Sequence, residues 1–329
     1  MARPLAPATV KPIPEGLPAT LRPLGALPAE EAHDRFWNMV AVLVISLIAI
    51  AAGGVWAYTQ VRQSLKDIRF AGLTSLLESE SGAMLIWIDE KKRDAERWAS
   101  APDVQRAARA MVDMAHRGID PAAICASAPR HALMEEIAPY VVLEEAVTFN
   151  LTLPDGSIIA SNHDSYCGRR IRSQEFMERL APVFQGRTVF VRPFLERDRV
   201  PTVAPPRFEE PLVWVKTPVR DAGGKVVAAL GFGRAAEVRF GRLLSISLTQ
   251  TSRESYAFDR RGLMLTQSRY LGDLRRAGIL GVRDSGVVQL ELRDPGGDIV
   301  AGYRPARGSS PRPFTRLAET AFAARAEGG

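Results

Sequence analysis

The chain is poor in the residues that most often build metal centres and redox sites. Its 329 residues contain only two cysteines and four histidines, and the histidines are scattered. Cys125 and Cys167 form neither a CxxC redox pair nor a zinc set, so they are either one periplasmic disulfide or two buried reduced thiols. The G-x-S-x-G nucleophile elbow is also absent. We therefore predict no metal, no cofactor and no catalytic residue.

The sequence also lacks a concentration of charge of one sign. Its 43 Lys and Arg residues are dispersed among 37 Asp and Glu residues, which leaves a net charge of +6. Nucleic-acid-binding proteins usually gather their basic residues into a patch or stripe. We therefore predict no nucleic-acid partner. The content of 46% hydrophobic and 24% charged residues is typical of a folded chain.

One long apolar run is present, from Trp37 to Tyr58, and it carries no Asp, Glu, Lys or Arg. About 22 residues at about 1.5 Å each reach about 33 Å, enough to cross a hydrocarbon core of about 30 Å. We predict a transmembrane helix over residues 37–58, preceded by a disordered, proline-rich tail over residues 1–36. The basic residues on the two sides of the span are too evenly matched to fix its orientation.

Helical periodicity follows the span. Apolar side chains recur at three- and four-residue intervals from about Thr59 to Ser100, and the pattern resumes after an interruption at Pro102. We predict a long helical stalk over residues 59–140. The apolar face of so long a helix needs a partner, which is either the following domain or a second copy of the chain.

Strand patterns begin at Val141, where β-branched and aromatic runs are separated by turn residues. The first hairpin turns at Pro154–Gly156 and the second at Asp221–Gly224, with the short helix SQEFMERLAPVF between them and a loop at residues 197–211. After a connecting helix at 235–248, hairpin, helix and strand recur in shorter form.

Tight turns between short strands exclude parallel crossovers, so the fold class is α+β. A transmembrane helix and a long N-terminal helix carry two antiparallel modules, over residues 141–234 and 235–329.

The C-terminal part carries a distinctive set of motifs: the turn Asp259–Gly262, Ser268-Arg269, Leu274-Arg275 and the segment Arg293–Asp298. Through them, residues 254–280 and 287–305 resemble the second module of bacterial double Cache sensor domains. These are PAS-like extracytoplasmic receptors of histidine kinases, nucleotide cyclases and serine/threonine kinases. The segments LPDGSIIASN and TPVRDAGGKVVAALGF resemble the first module more loosely.

The resemblance implies a single-pass protein of the bacterial inner membrane, with a cytoplasmic N-terminus and a periplasmic sensor. Residues 141–234 would be the membrane-distal module and 235–329 the membrane-proximal one. A homodimer would bind a small-molecule ligand of unknown identity and signal through the long helix to a separate cytoplasmic partner. The strands that usually close the second sheet, and the output domain, are expected to be missing.

Candidate ligand-binding residues follow from strand alternation. Trp214 and Lys216 share one face of a strand, and Phe190 and Arg192 share one face of another. An aromatic ring beside a cation suits an anionic or carboxylate ligand. Alternatively, Trp214 belongs to the core and the cations are solvated strand ends. Because the resemblance places the ligand in the distal module, it adds three residues of the loop after the first hairpin: His163, Asp164 and Arg170.

Two other functions remain open. Gly231–Ala236, GFGRAA, matches the dinucleotide pattern G-x-G-x-x-[GA], whose glycines let the backbone approach a pyrophosphate. That pattern belongs to a parallel βαβ unit, so a nucleotide-binding enzyme requires parallel neighbours for the strand that contains Gly231 and Gly233. A membrane-tethered scaffold for oligomerisation, without a ligand, would instead have a sealed, apolar interior in the first module.

Overall fold

The computed structural model describes residues 29–143, 145–193, 211–236, 241, 244, 254–306 and 312–327. The chain divides into two compact units, Met1–Leu73 and Thr74–Gly329. Helix α1, Ala29–Ala99, begins in the first unit and ends in the second.

The described part of the first unit is α1 over residues 29–73, which includes the apolar run. This helix is long and apolar enough to cross a membrane, and none of its most apolar stretch is buried. Ile45 and Trp56 are 65% and 66% exposed. A helix that is apolar all round is typical of a membrane span. The helix begins at Ala29, so residues 29–36 of the predicted disordered tail are helical. Pro28 is the last proline before them, and nothing in this segment blocks helical hydrogen bonding.

The predicted interruption at Pro102 is confirmed. Helix α1 ends at Ala99, and α2 spans Pro102–His116 with the proline in its first turn, where its missing N–H is not needed. Helices α3, Pro121–Cys125, and α4, Ala128–Leu143, follow.

Five antiparallel strands form one sheet in the order β2-β1-β5-β4-β3. They are β1 Thr148–Thr152, β2 Ile158–Ser161, β3 Val189–Val191, β4 Leu212–Arg220 and β5 Val226–Ala235. Both predicted hairpins are therefore confirmed. Gly156 in the first turn has a φ of 89°, a conformation that favours glycine.

Helices cover both faces of the sheet. On one face, Phe149, Val215 and Phe232 pack in one core with residues of α1, α2 and α4. The other face packs on the predicted short helix, which is confirmed as α5, Gln174–Phe184. The Oγ of Ser173 caps this helix by accepting a hydrogen bond from the backbone N–H of Phe176 at 3.2 Å. We call the second face of the sheet the α5 face.

The C-terminal segment is less regular than predicted. Within residues 254–306 and 312–327, isolated bridges take the place of the predicted strands: Phe258 with Met264, Leu263 with Glu291, and Arg293 with Phe314. One reason is that Val288 has a φ of 51°, which breaks an extended strand.

The predicted helix of this segment is confirmed as α6, Leu271–Arg276, and α7 spans Arg316–Glu327. The predicted loop at 197–211 and connecting helix at 235–248 lie largely outside the described residues.

Candidate ligand-binding site

Lys216 lies at the centre of the sheet on the α5 face, with 0% of its surface exposed. The pairing register places it between Val189 of β3 and Gly231 of β5. A Cβ atom at Gly231 would collide with Cδ, Cε and Nζ of Lys216. Glycine is therefore required at position 231, because the lysine side chain crosses the neighbouring strand at that point.

The ammonium group of Lys216 contacts a polar and aromatic cluster. Its Nζ donates a hydrogen bond to Oδ1 of Asn150 on β1. It lies 4.6 Å from the ring centroid of Trp214 and 5.8 Å from that of Phe176 on α5, within the range of cation–π interactions. The same Asn150 oxygen accepts a hydrogen bond from Oγ1 of Thr152 at 3.3 Å. These contacts join β1, β4 and α5 around one positive charge.

The α5 face is polar along β1, a feature that we did not predict. Thr148, Asn150 and Thr152 are buried there, and Ser161 pairs with Asn150 from β2. The sequence signal is polar residues at alternate positions of a strand that is otherwise apolar. The register places Thr148 opposite Gly233, where a Cβ atom would lie 2.6 Å from its Cγ2 atom.

Trp214 and Phe190 lie on opposite faces of the sheet. Trp214 pairs with Val191, whereas Phe190 pairs with Val215, and residues paired across antiparallel strands point to the same face. Phe190 packs edge-to-face on Trp87 of α1, with ring centroids 6.0 Å apart. The structure therefore groups Trp214 with Lys216 and assigns Phe190 to the core on the other face.

Arg192 follows β3 directly and contacts the C-terminal segment. Its Nη1 lies 2.8 Å from Oδ2 of Asp259, whose side chain is 2% exposed. The backbone N–H groups of Arg261 and Leu263 donate to Oδ1 of Asp259 at 2.9 and 3.0 Å. Burial raises the pKa of Asp259, but hydrogen bonds from Arg192, Leu263 and Arg261 outweigh it, and the net pKa lies below the ordinary value.

The three candidate residues of the loop after β2 contact three different places. His163 donates through Nε2 to the carbonyl oxygen of Val147 at 3.1 Å. Asp164 accepts a hydrogen bond from the buried Arg130 of α4 at 2.6 Å. Nε of Arg170 donates to the carbonyl oxygen of Asp155 at 2.7 Å. These contacts hold the loop to its surroundings, and none of the three is a contact with Lys216.

A disulfide between Cys125 and Cys167 attaches the same loop to α3, with their Cα atoms 5.8 Å apart. Gly168, the next residue, packs closely on this helix: a Cβ atom there would lie 3.0 Å from Cα of Ala122. The loop is therefore fixed covalently as well as by the pair between Asp164 and Arg130.

The segment that matches the dinucleotide pattern lies in β5, between β1 and β4, and both neighbours are antiparallel. A dinucleotide site needs a parallel βαβ unit, so this alternative is wrong. Gly231 and Gly233 instead leave room for the side chains of Lys216 and Trp214.

No protein-family model matches the chain, and no curated protein matches it. Among solved structures, it is similar to the sensor domain of the V. cholerae histidine kinase DctB. The identity is 14%, the match covers 50% of this chain and 54% of that one, and the TM-score is 0.35. The chain thus spans about half the length of that domain.

The E. coli DcuS sensor domain gives 12% identity, coverage of 52% of this chain and 98% of that one, and a TM-score of 0.31. The ligand-binding domain of the Pseudomonas aeruginosa amino acid chemoreceptor PctC, in complex with GABA, gives 14% identity, coverage of 56% and 74%, and a TM-score of 0.33. These three structures are sensor or ligand-binding domains, and each is similar to about half of this chain.

Proposed function

We propose that the chain is a membrane-anchored periplasmic sensor domain that binds a small anionic molecule on the α5 face and signals through α1. The observation that carries this proposal is the buried ammonium group of Lys216. Inside a protein, a positive charge attracts an anion more strongly than it does in water. Asn150 and Thr152 supply directional hydrogen-bonding groups beside it, and Trp214 supplies an apolar wall. We propose binding rather than catalysis.

Ligand entry requires part of the cover over Lys216 to move. The side chain has no exposed surface, and Phe176 of α5 lies over its ammonium group. We infer that α5 or a neighbouring segment shifts when the anion binds, and that the anion then becomes an acceptor for Nζ of Lys216. This displacement is the initial signal.

The scaffold alternative predicts a sealed and apolar interior. The interior on the α5 face is sealed at Lys216, but it contains a cation and the buried hydroxyl and amide groups of β1. Burying a charge is costly, and an apolar side chain of similar volume is often at least as stable. A buried lysine therefore favours a binding role over a purely structural one.

Membrane anchoring is supported by the apolar, unburied part of α1. The disulfide between Cys125 and Cys167 supports an oxidising compartment for the second unit, and hence a periplasmic sensor with a cytoplasmic N-terminus.

We further propose that α1 forms a homodimer. Leu77 and Leu85, eight residues apart and therefore on one side of the helix, are 56% and 64% exposed, and a second copy of α1 would cover them, although other α1 residues pack on the sheet. A separate cytoplasmic signalling protein would read the change in this dimer.

A thermal-shift screen of the full chain in nanodiscs tests ligand binding, with organic acids, amines, purines and nucleotides as probes. Stabilisation that rises with ligand concentration as RT ln(1 + [L]/Kd) for an anionic compound supports the proposal. Lys216→Met should strongly reduce it, whereas the control Lys225→Met, at an exposed position of the β4–β5 turn, should retain it. Equal stabilisation of both variants would contradict a site at Lys216.

A further inference from the structure

A group of five charged side chains lies where α5, the end of β3 and one turn of the C-terminal segment meet. This turn is enclosed by the bridge between Phe258 and Met264, and we call residues 258–264 the C-terminal hairpin. We call Glu175, Arg179, Arg192, Asp259 and Arg261 the junction cluster. Arg192 and Arg261 both contact Oδ2 of Asp259, at 2.8 and 3.2 Å. Arg179 and Arg261 both contact Oε1 of Glu175, at 2.6 and 4.0 Å. Arg261 therefore links the two carboxylates into one network.

Three of the five side chains are shielded enough from water for their geometry to matter, whereas Glu175 and Arg261 are 56% and 65% exposed. The side chains of Asp259, Arg179 and Arg192 are 2%, 20% and 37% exposed. Burial, followed by the nearby charge of Arg192, lowers the pKa of Arg179. Displacing one member leaves the opposite charge of its partner unbalanced in a partly dry environment, which is costly.

Two members of the junction cluster are adjacent in sequence to residues of α5 or of the α5 face. Glu175 directly precedes Phe176, whose ring lies over the ammonium group of Lys216. Arg192 directly follows Val191, which pairs with Trp214. A movement of α5 or of β3 at the candidate site must therefore move a charged group of the cluster.

Asp259 in turn holds the C-terminal hairpin. Its Oδ1 atom accepts hydrogen bonds from the backbone N–H groups of Arg261 and Leu263. Its backbone carbonyl oxygen accepts a hydrogen bond from the N–H group of Gly262 at 2.9 Å. These bonds define the turn. A change in the contact between Arg192 and Asp259 therefore acts directly on the turn.

We propose that the junction cluster couples the α5 face to the C-terminal segment, with the contact between Arg192 and Asp259 as the main link. Under the proposed function, this link carries the ligand signal out of the sheet. The coupling itself needs no ligand, because any displacement of β3 or α5 changes it. The α5 face and the C-terminal segment can be perturbed separately, so the coupling between them can be measured as a free energy.

The test is a double-mutant cycle read by hydrogen exchange on the full chain in nanodiscs. Trp214→Ala perturbs the α5 face, Arg192→Gln removes the link, and the readout is exchange of the amides of Gly262, Leu263 and Leu265. We expect Trp214→Ala to speed this exchange by roughly 2- to 30-fold in the wild-type background. In the Arg192→Gln background, where the hairpin already exchanges faster, it should have no further effect.

Arg106→Gln is the matched control, since Arg106 forms an exposed ion pair with Asp103 on α2. In this background Trp214→Ala should act as in wild type. If the Trp214→Ala variant shows no protection of the α2 amides from exchange, it is not folded, and Trp214→Phe is used in its place. The proposal would be overturned if the tryptophan substitution changed the exchange of the hairpin amides equally with and without Arg192, or did not change it. Neither result depends on a ligand, so coupling and ligand binding can fail independently.

Discussion

Arg192 donates a hydrogen bond to Asp259 at 2.8 Å, between the end of a sheet strand and the turn of the C-terminal hairpin. The two residues are far apart in sequence, and the carboxylate is almost completely buried. This contact joins the end of β3 to the C-terminal segment, so it should affect both the stability of the protein and its response to a ligand.

Acid should weaken this contact. The pKa of Asp259 is lower in the folded protein than its ordinary value of about 3.9. Its ionisation therefore contributes stability that is fully present above the unfolded-state pKa and is lost as pH falls through the folded-state pKa. Asp259→Asn should flatten the decline of the Tm below about pH 5. Thermal melts across pH test this, with Asp103→Asn, exposed on α2, as the control. Parallel pH curves for wild type and Asp259→Asn would exclude the effect.

Replacing Lys216 should cost little stability. Lys216→Met keeps much of the volume and removes a buried charge, so we expect a free energy of unfolding within about 1.5 kcal/mol of wild type. Chemical denaturation of the full chain in nanodiscs measures it. A loss of more than about 3 kcal/mol would mean that the lysine holds the sheet together and is not kept for a ligand.

A side chain at Gly231 should be destabilising because of Lys216. In Gly231→Ala, the new methyl group collides with the lysine stem, and we expect a loss of about 1–3 kcal/mol. Combining it with Lys216→Ala should recover part of the loss, because the space is then free. Gly82→Ala is the control: a Cβ atom there meets nothing within 4 Å, and alanine favours the helix. Additive losses in the double variant would refute the packing argument.

The disulfide gives a test of compartment. If the second unit is periplasmic, protein purified without reductant should show no reactive thiol after denaturation, and Cys125→Ser with Cys167→Ser should lower stability by about 2–4 kcal/mol. Mass spectrometry after alkylation counts the thiols. Two alkylated cysteines in freshly isolated wild-type protein would place the unit in a reducing compartment.

Local signals made most of the sheet module predictable. The turn at Pro154–Gly156 lies between β-branched runs, and Ser173 precedes an amphipathic pattern, so the hairpin and α5 follow from neighbouring residues. The position of Phe190 depends instead on how β3 pairs with β4. That register depends on residues distant in sequence, so alternation within one strand could not place Phe190 relative to Trp214.

The role of Asn150 was hidden for a similar reason. The apolar residues of β1 predict that this strand is buried. The partner of Asn150 is Lys216 of β4, however, and the two residues meet across Gly231 of β5. In the C-terminal segment, β-branched composition predicted a strand, but Val288 adopts a left-handed conformation there. Tertiary context overrides β-propensity in such cases.

Calorimetric titration is the most direct test of the central claim, that an anion binds at Lys216. The titrant is the organic acid that gives the full chain the largest stabilisation. We expect one site per chain in wild type and in Lys225→Met, and an affinity about 10- to 100-fold lower in Lys216→Met, because a charge-assisted hydrogen bond is lost. The same affinity in all three proteins, or no binding of any organic acid to wild type, would contradict it.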